Sequence, residues 1–221
     1  MNLRSILRFG AKILFVRRKL VFDARLDEIP NVTARTPVQF RFGDAADLMR
    51  LSDETHDYDT AATRFSLDRL MAGDRLVIAE SAIGPREEAL FYGWLMFGQL
   101  DMGVGKYLPL APDSVYSYRL FTAASHRGKK LCAAYFTFVR EQLEAEGHRR
   151  VLSWVESRNL ISRRVHEAAG FHSIGCIWHV QFLFRSYFYV PKTLRESLRR
   201  SHAEHRTAPL AAGAGAGASR A

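Results

Sequence analysis

The sequence predicts an α/β fold in which helices flank a mixed sheet. The main observation is a strand–helix–strand–helix unit in the second half of the chain. Residues 115–122 are β-branched and aromatic, 131–146 carry an apolar stripe at helical spacing, 151–155 form a second strand, and 160–169 form a second helix. A series of shorter strand-like segments precedes and follows this unit, so the sheet is predicted to extend on both sides of it.

The composition is that of an ordinary globular chain with a basic surface. The 221 residues, 48% of them hydrophobic, suffice for one large domain with extensions. The net charge of +9 predicts attraction to an acidic partner: nucleotide phosphates, anionic lipid, an acidic carrier protein or nucleic acid. The two cysteines, Cys132 and Cys176, form neither a disulfide framework nor a metal-ligand pattern. We therefore expect no metal, reduced thiols and a reducing compartment such as the cytoplasm.

Residues 1–36 form a predicted basic N-terminal extension. Up to residue 26, apolar residues recur at helical spacing with arginines and lysines between them, which predicts an amphipathic helix. Charges interrupt every apolar run, so neither a signal peptide nor a membrane-spanning helix is expected. Two roles fit residues 1–26. We favour packing on the body or on a second subunit in a homodimer; the alternative is peripheral contact with an anionic membrane at its inner face.

The predicted body spans residues 37–190, and residues 191–221 form a basic helical tail with a disordered Ala/Gly-rich end. The body begins with a strand, a helix capped by Asp44, and a second helix with an apolar stripe. That stripe comprises Phe65, Leu67, Leu70 and Met71. The later predicted segments are strands at 76–80 and 89–97 joined by a turn at Gly84 and Pro85, a loop at 101–113, and aromatic strands at 173–180 and 181–190.

The loop before the helix at Leu131 has the features of an anion site. A helix N-terminus presents unpaired backbone N–H groups and a positive dipole end. Cations surround it here, while no Asp or Glu occurs from residue 120 to 140. Gly128 lets a ligand approach the backbone closely. A solvated basic loop with a tolerated glycine is the alternative interpretation.

The helix over 160–169 has a polar face and an apolar face. At about 100° per residue, Asn159, His166 and either Ser162 or Arg163 lie on one side. Another face holds Ile161, Val165 and Ala168, and it is the predicted core face.

These motifs together resemble the GNAT superfamily of acyl-CoA-dependent N-acetyltransferases. That family carries an Arg/Gln-x-x-Gly-x-Gly/Ala loop for the pyrophosphate of coenzyme A, followed by an N-x-x-A-x-x-L-Y-x-x-x-G-F pattern. From Asn159 to Phe171 this sequence has N-L-I-S-R-R-V-H-E-A-A-G-F, while Lys130 and Cys132 replace small residues of the loop. The resemblance implies a mostly antiparallel sheet that splays between its middle strands. It also implies transfer of an acetyl or longer acyl group from acetyl-CoA, or another acyl-CoA, to a small-molecule amine acceptor.

The resemblance assigns residues to roles. His166 stands where many members have the tyrosine that protonates the leaving thiolate, and an imidazole can do this chemistry. Glu156 is our first choice of general base, ahead of Glu80 and Asp113, and His56 and Tyr58 are candidates for substrate contact. The implied coenzyme A contacts are Phe121, Thr122, Ala123, Arg127, Gly128, Lys129, Lys130, Leu131, Cys132, Asn159, Ser162 and Arg163.

Two other functions remain open at this stage. The acyl donor is an acyl carrier protein, whose acidity would suit the basic surface and the altered loop; or the chain is a non-catalytic module that binds acyl-CoA. Nucleic-acid binding is not expected, because the basic segments lie at the chain ends without a recognised motif.

Overall fold

A computed structural model describes residues 14–54, 60–83 and 89–201, apart from the side chains of 52–54 and 60–62. The strands are β1 (Leu14–Arg25), β2 (Val38–Gly43), β3 (Arg75–Ser81), β4 (Phe91–Phe97), β5 (Gln99–Gly103), β6 (Lys106–Pro109), β7 (Ser114–Thr122), β8 (Arg150–Glu156), β9 (His172–Phe182) and β10 (Arg185–Tyr189). The helices are α1 (Ala45–Glu54), α2 (Thr60–Met71), α3 (Leu131–Ala145), α4 (Leu160–Ala168) and α5 (Lys192–Arg199), with 3₁₀ turns at Leu26–Glu28 and Ala124–His126.

Eight strands form one mixed sheet in the order β10-β9-β1-β8-β7-β4-β3-β2, and β5 pairs with β6 in a separate hairpin. Every neighbouring pair in the large sheet is antiparallel except β7 and β8. That parallel pair runs only from Ser114–Arg150 to Tyr116–Leu152, after which the two strands are no longer paired. The predicted fold class, an α/β architecture with a mostly antiparallel sheet opening between its middle strands, is confirmed.

Helices cover both faces of the sheet. On one face, α3 packs through Tyr135 and Phe136 against Phe22 and Phe91. On the other face, α1, α2 and α5 pack against a cluster that includes Trp94. The strands between these layers are apolar on both sides, as buried central strands are.

The prediction of an N-terminal helix is wrong for residues 14–25, which form β1 in the interior of the sheet between β8 and β9. Adjacent residues Val21 and Phe22 are both buried, on opposite faces of the sheet. The two charged residues of this buried stretch are satisfied: Lys19 Nζ donates to the Met102 carbonyl (2.6 Å), and Asp23 pairs with Arg150. Burial on both faces therefore overrides the helical spacing of the sequence.

Smaller differences concern connections and one helix face. The predicted loop over 101–113 contains most of the β5–β6 hairpin, and the last two strands turn at Leu183 and Phe184 rather than near residue 180. In α2, Phe65 and Met71 are exposed instead of packing in the predicted stripe. The Asp44 cap is confirmed, since its Oδ1 accepts from the Asp47 amide (2.9 Å). The turn at Gly84 and Pro85 and the chain end beyond residue 201 lie outside the described residues.

Candidate active site

The divergence of β7 and β8 opens a cavity of about 420 Å³. Four residues of the predicted site line it: Glu156, Asn159, Ser162 and His166. The structure adds others that sequence reasoning did not find, among them Phe65, Asp101, Tyr116, Tyr118, Arg119, Ser153 and Trp154. The cavity therefore joins residues from four separate stretches of the chain.

A bulge in β7 shapes one side of this opening. Trp94 lies opposite Tyr118 and Tyr92 opposite Phe121, so one more residue stands on β7 than on β4. Arg119, inside the bulge, has a positive φ of +50°. Such a bulge bends the strand and redirects its side chains. Gly93 stands opposite the bulge, where an added Cβ would come within 2.7 Å of the Leu120 side chain.

Phe121, Thr122 and Ala123, the predicted backbone contacts for coenzyme A, differ in what they bond to in the structure. The Ala123 amide donates to the Leu90 carbonyl (3.0 Å) and is therefore already engaged. Backbone groups alternate in direction along a strand, so Thr122 directs its N–H and C=O to the other side, toward the opening. Consistent with this direction, the Thr122 carbonyl accepts from Arg127 Nε (3.4 Å). The Phe121 ring stacks on Tyr92, with 4.9 Å between centroids.

The N-terminus of α3 is uncapped by any described side chain. Its N-cap residue, Lys130, has a left-handed backbone (φ +61°), and the first intrahelical amide bond runs from Ala134 N to Lys130 O (3.0 Å). The amides of residues 131–133 consequently have no partner within the helix. Gly128 has φ +78°, and no atom lies within 4 Å of the position its Cβ would take. The open amides, the cations at 127, 129 and 130 and the free space at Gly128 fit a diphosphate.

Cys132 contributes its backbone rather than its thiol to this helix start. Its side chain packs against the core cluster around Leu131 and Tyr135. Burial raises the pKa of the Cys132 thiol to about 12, so the thiol is protonated at neutral pH.

His166 is 3% exposed and lies in the inner wall of the cavity. Its Nδ1 lies 2.8 Å from the Ser162 carbonyl, which only an N–H can satisfy, and in the neutral imidazole Nε2 then accepts from the Ser153 hydroxyl (3.1 Å). The rings of Phe22, Phe136 and Phe171 surround it at 5.3–5.6 Å between centroids. Burial lowers the pKa of the imidazole, so the neutral form is favoured.

The prediction that Ile161, Val165 and Ala168 form the core face of α4 is wrong. Ile161 is 79% exposed and Ala168 is also exposed, while His166 faces the core. The polar side turns inward because backbone and hydroxyl partners satisfy the imidazole there. Within this nine-residue helix, His166 is the residue that is fully buried.

The start of α4 is held by its own side chains. Asn159 Oδ1 accepts from the Ser162 amide (3.0 Å), which makes Asn159 a helix cap. Arg163 Nη1 donates to the Ser157 carbonyl (3.4 Å). Among the described residues, Arg163 Nε is the one buried side-chain polar atom without a hydrogen-bond partner. The Asn159 amide nitrogen remains a candidate contact for coenzyme A, whereas Arg163 is not among the residues that line the cavity and its Nε is enclosed by the protein.

Two carboxylates line the cavity. Glu156 pairs with Arg17 (3.1 Å) and is 42% exposed, which places a hydrated carboxylate at the cavity wall. Asp101 is the second; its Oδ1 accepts from the Gly103 amide (2.6 Å). Sequence reasoning missed Asp101 because it assigned that segment to an irregular loop.

The alternative bases are not in the cavity. Glu80 is buried in a cluster with Arg41 and Arg50 between β2, α1 and β3. Asp113 precedes β7 at its opposite end, where it accepts from the Ser201 hydroxyl (2.8 Å).

Side chains of β8 and β1 fix the β5–β6 hairpin as one wall. Trp154 Nε1 donates to the Asp101 carbonyl (2.9 Å), and Lys19 Nζ bonds the adjacent Met102 carbonyl while lying 3.8 Å from the Trp154 ring centroid. Burial lowers the pKa of Lys19 to about 8. On the other side, Tyr118 donates to Asp74 (2.7 Å) and so ties β7 to the end of α2.

Two predicted substrate residues, His56 and Tyr58, lie outside the described residues. Within the described ranges, no three His, Cys, Asp or Glu side chains come together as a metal site. Nor does any described helix have the length and apolarity needed to cross a bilayer.

Comparison with known proteins agrees with this geometry. The family model of the GNAT acetyltransferases matches residues 54–171, which is more than half of the chain. A GNAT acetyltransferase from Colwellia psychrerythraea superposes with a TM-score of 0.56 at 13% identity, over 81% of this chain and 62% of that one. A tandem GNAT protein of the clavulanic acid pathway gives 0.54 at 15% identity, over 83% and 59%. A Staphylococcus epidermidis protein of unknown function gives 0.54 at 5% identity, over 81% and 67%.

The mostly antiparallel sheet that opens between its two parallel strands is the fold that this chain shares with these GNAT structures. The chain belongs to the GNAT acetyltransferase family. It spans about three fifths of the length of the Colwellia and clavulanic acid pathway proteins. A sequence search of curated proteins found no match.

Proposed function

We propose that the protein transfers an acetyl or longer acyl group from coenzyme A to the amine of a small molecule. The observation that carries this proposal is the placement of the cavity. It opens where β7 and β8 separate, and β7 leads directly into the loop and helix whose amides and cations fit a diphosphate. Family membership supports acyl transfer in general; the amine acceptor and the donor are part of the proposal.

The residues around the α3 N-terminus would hold the diphosphate of coenzyme A. The amides of Leu131 and Cys132 are directed out of the helix end, and Gly128 leaves the approach open. Arg127 and Lys130 have exposed side chains on the same loop and add charge. Asn159 of the neighbouring helix start lines the cavity, and its amide nitrogen would contact the pantetheine arm.

The reaction would be direct attack of the amine nitrogen on the thioester carbonyl. An N–C bond forms, the C–S bond breaks, the ammonium proton passes to a base, and the thiolate takes up a proton. The Thr122 amide, directed toward the opening, would polarise the carbonyl. Glu156 would accept the amine proton, directly or through water, since its carboxylate is partly hydrated and lies in the cavity wall.

His166 would act from the inner wall. A direct acid role requires a proton on Nε2, and burial together with the Ser153 hydrogen bond opposes that state. The neutral imidazole instead orients the Ser153 hydroxyl by accepting its hydrogen. The direct acid role and this orienting role differ in their pH dependence, which distinguishes them experimentally.

Turnover and binding assays test the proposal together. Purified protein is mixed with acetyl-CoA, longer acyl-CoAs or acylated carrier protein and a panel of small amines, with thiol release and product mass as readouts. We expect calorimetric binding of acyl-CoA and acylated amine product. Turnover with acylated carrier protein, but with none of the acyl-CoAs, would show that the carrier protein is the acyl donor. Binding without turnover across the whole panel would favour a non-catalytic acyl-CoA module.

A further inference from the structure

The corner of the sheet formed by β1, β9 and β10 ends in an apolar turn. The closing pair is Phe182 and Arg185, with Leu183 and Phe184 between them, and Phe184 is 100% exposed. Hairpin turns of two residues ordinarily hold Gly, Asn or Asp, because they require a positive φ. Here Leu183 adopts φ +52° despite its bulky side chain. A strained apolar turn in a solvent-exposed place suggests a function beyond closing the hairpin.

Exposed apolar side chains continue from this turn onto one face of the corner. Residues paired across strands share a face, and the pairs Leu14–Phe182, Val16–Val180 and Val180–Tyr187 place them together. Trp178, Tyr189 and Arg18 follow on the same face by their pairing. We call this surface the apolar tip; its exposed members are Leu14, Val16, Trp178, Phe182, Leu183, Phe184, Tyr187 and Tyr189.

The surroundings of the apolar tip are basic. Residues 14–22 and 172–189 contain no Asp or Glu. Arg185 closes the turn, and the Arg18 guanidinium lies 5.7 Å from the Trp178 ring centroid. The chain preceding Leu14 joins the tip directly, and its sequence adds three cations and no acid. Apolar, aromatic and cationic side chains thus occur together at one end of the sheet.

The apolar tip lies at the same end of the sheet as the candidate active site. Lys19 pairs with Glu156, the last residue of β8, so the five residues 14–18 of β1 extend beyond that strand. At the rise of a β-strand this extension is about 16 Å. The tip therefore projects past the end of β8, beside which the cavity opens.

We propose that the apolar tip docks the protein on an anionic lipid bilayer. Leu183 and Phe184 enter the boundary of the acyl chains, and the Trp and Tyr rings lie at the level of the headgroups, where such rings are favoured. Arg18 and Arg185 face the lipid phosphates. A second copy of the chain is a poorer occupant, because a two-fold contact would bring two equally basic surfaces together without an acidic residue from either tip.

Vesicle sedimentation with the full chain tests this proposal. We expect binding to phosphatidylcholine vesicles that contain about one third phosphatidylglycerol, little binding to pure phosphatidylcholine, and loss of binding at about 0.5 M salt. Replacing both turn residues (Leu183→Ser with Phe184→Ser) should weaken binding at least about tenfold. Arg185→Gln should weaken it about fivefold.

Matched controls keep the result interpretable. Met71→Ser removes an exposed apolar side chain elsewhere, and Arg149→Gln removes an exposed cation at the opposite end of β8; both should bind as wild type does. Circular dichroism verifies that each variant is folded. Turn variants that still bind anionic vesicles like wild type would overturn the proposal. A wild-type protein that ignores these vesicles, and forms a dimer in sedimentation velocity that the turn variants abolish, would assign the tip to self-association instead.

Discussion

Replacing Gly128 by valine provides the sharpest test of the proposed diphosphate site. Gly128 has φ +78°, a conformation that costs an L-residue about 1–2 kcal/mol. The space in front of it is open, so the Val side chain either occupies the path of the ligand or forces the loop to change shape. In both cases the ligand loses backbone hydrogen bonds. Each bond to a charged group contributes about 1.5–3 kcal/mol, so acetyl-CoA affinity should fall about 10- to 150-fold per bond lost.

Gly147 supplies the matched control. It follows the other end of α3, has φ +88°, and likewise has open space at its Cβ position. Gly147→Val should therefore cost about as much stability as Gly128→Val, about 1–2 kcal/mol in denaturant unfolding. It should leave acetyl-CoA affinity unchanged, because no anion site is proposed there. Calorimetric titration of both variants with acetyl-CoA, alongside their unfolding curves, separates binding from stability. Equal affinities for the two variants and wild type would refute the placement of the diphosphate.

Three further predictions concern the cavity and the core. If Glu156 is the base, Glu156→Gln should lower kcat about 10²–10⁴-fold. Arg17→Gln breaks the same exposed ion pair but keeps the carboxylate, so its kcat should stay near that of the wild type. Similar losses of kcat in both variants would show that Glu156 is not the base. If His166 is neutral and only orients Ser153, its ring loses no proton between about pH 6 and 8. The kcat of the wild-type protein should then not fall over that range because of His166. A limb that falls as pH rises and disappears in His166→Gln would instead establish it as an acid. The hydrogen bonds from Arg41 hold the pKa of Asp47 below its ordinary value, so this pair stabilises the fold above about pH 4 and the stability is lost as pH falls through the lowered pKa. Denaturant midpoints measured against pH should show that slope in wild type and a smaller one in Arg41→Leu.

Sequence patterns were informative where a local rule decides the structure. The strand–helix–strand–helix unit appears with its predicted boundaries to within one residue, because period and caps are local properties. The basic glycine loop before α3 and the spacing from Asn159 to Phe171 are also short-range features, and they formed the basis of the family resemblance. This is why the fold class could be predicted, together with several residues that line the candidate cavity.

Local patterns did not predict partners across the sheet. Residues 14–25 carry charges at spacings that suit a surface helix, yet they form an interior strand because β8 and β9 bury both of its faces. The inward orientation of His166 likewise depends on Ser153 and three phenylalanine rings from distant segments. Asp101 reaches the cavity only because Lys19 and Trp154 hold its hairpin against the sheet.

The sequence by itself determined the family and the helix start that fits a diphosphate, since spacing, glycine and charge act over a few residues. Tertiary structure alone decided which side chains share the cavity, which groups hydrogen-bond His166, and that residues 14–25 form a strand. These properties depend on burial and on contacts between residues far apart in the chain, and no short stretch of sequence contains that information.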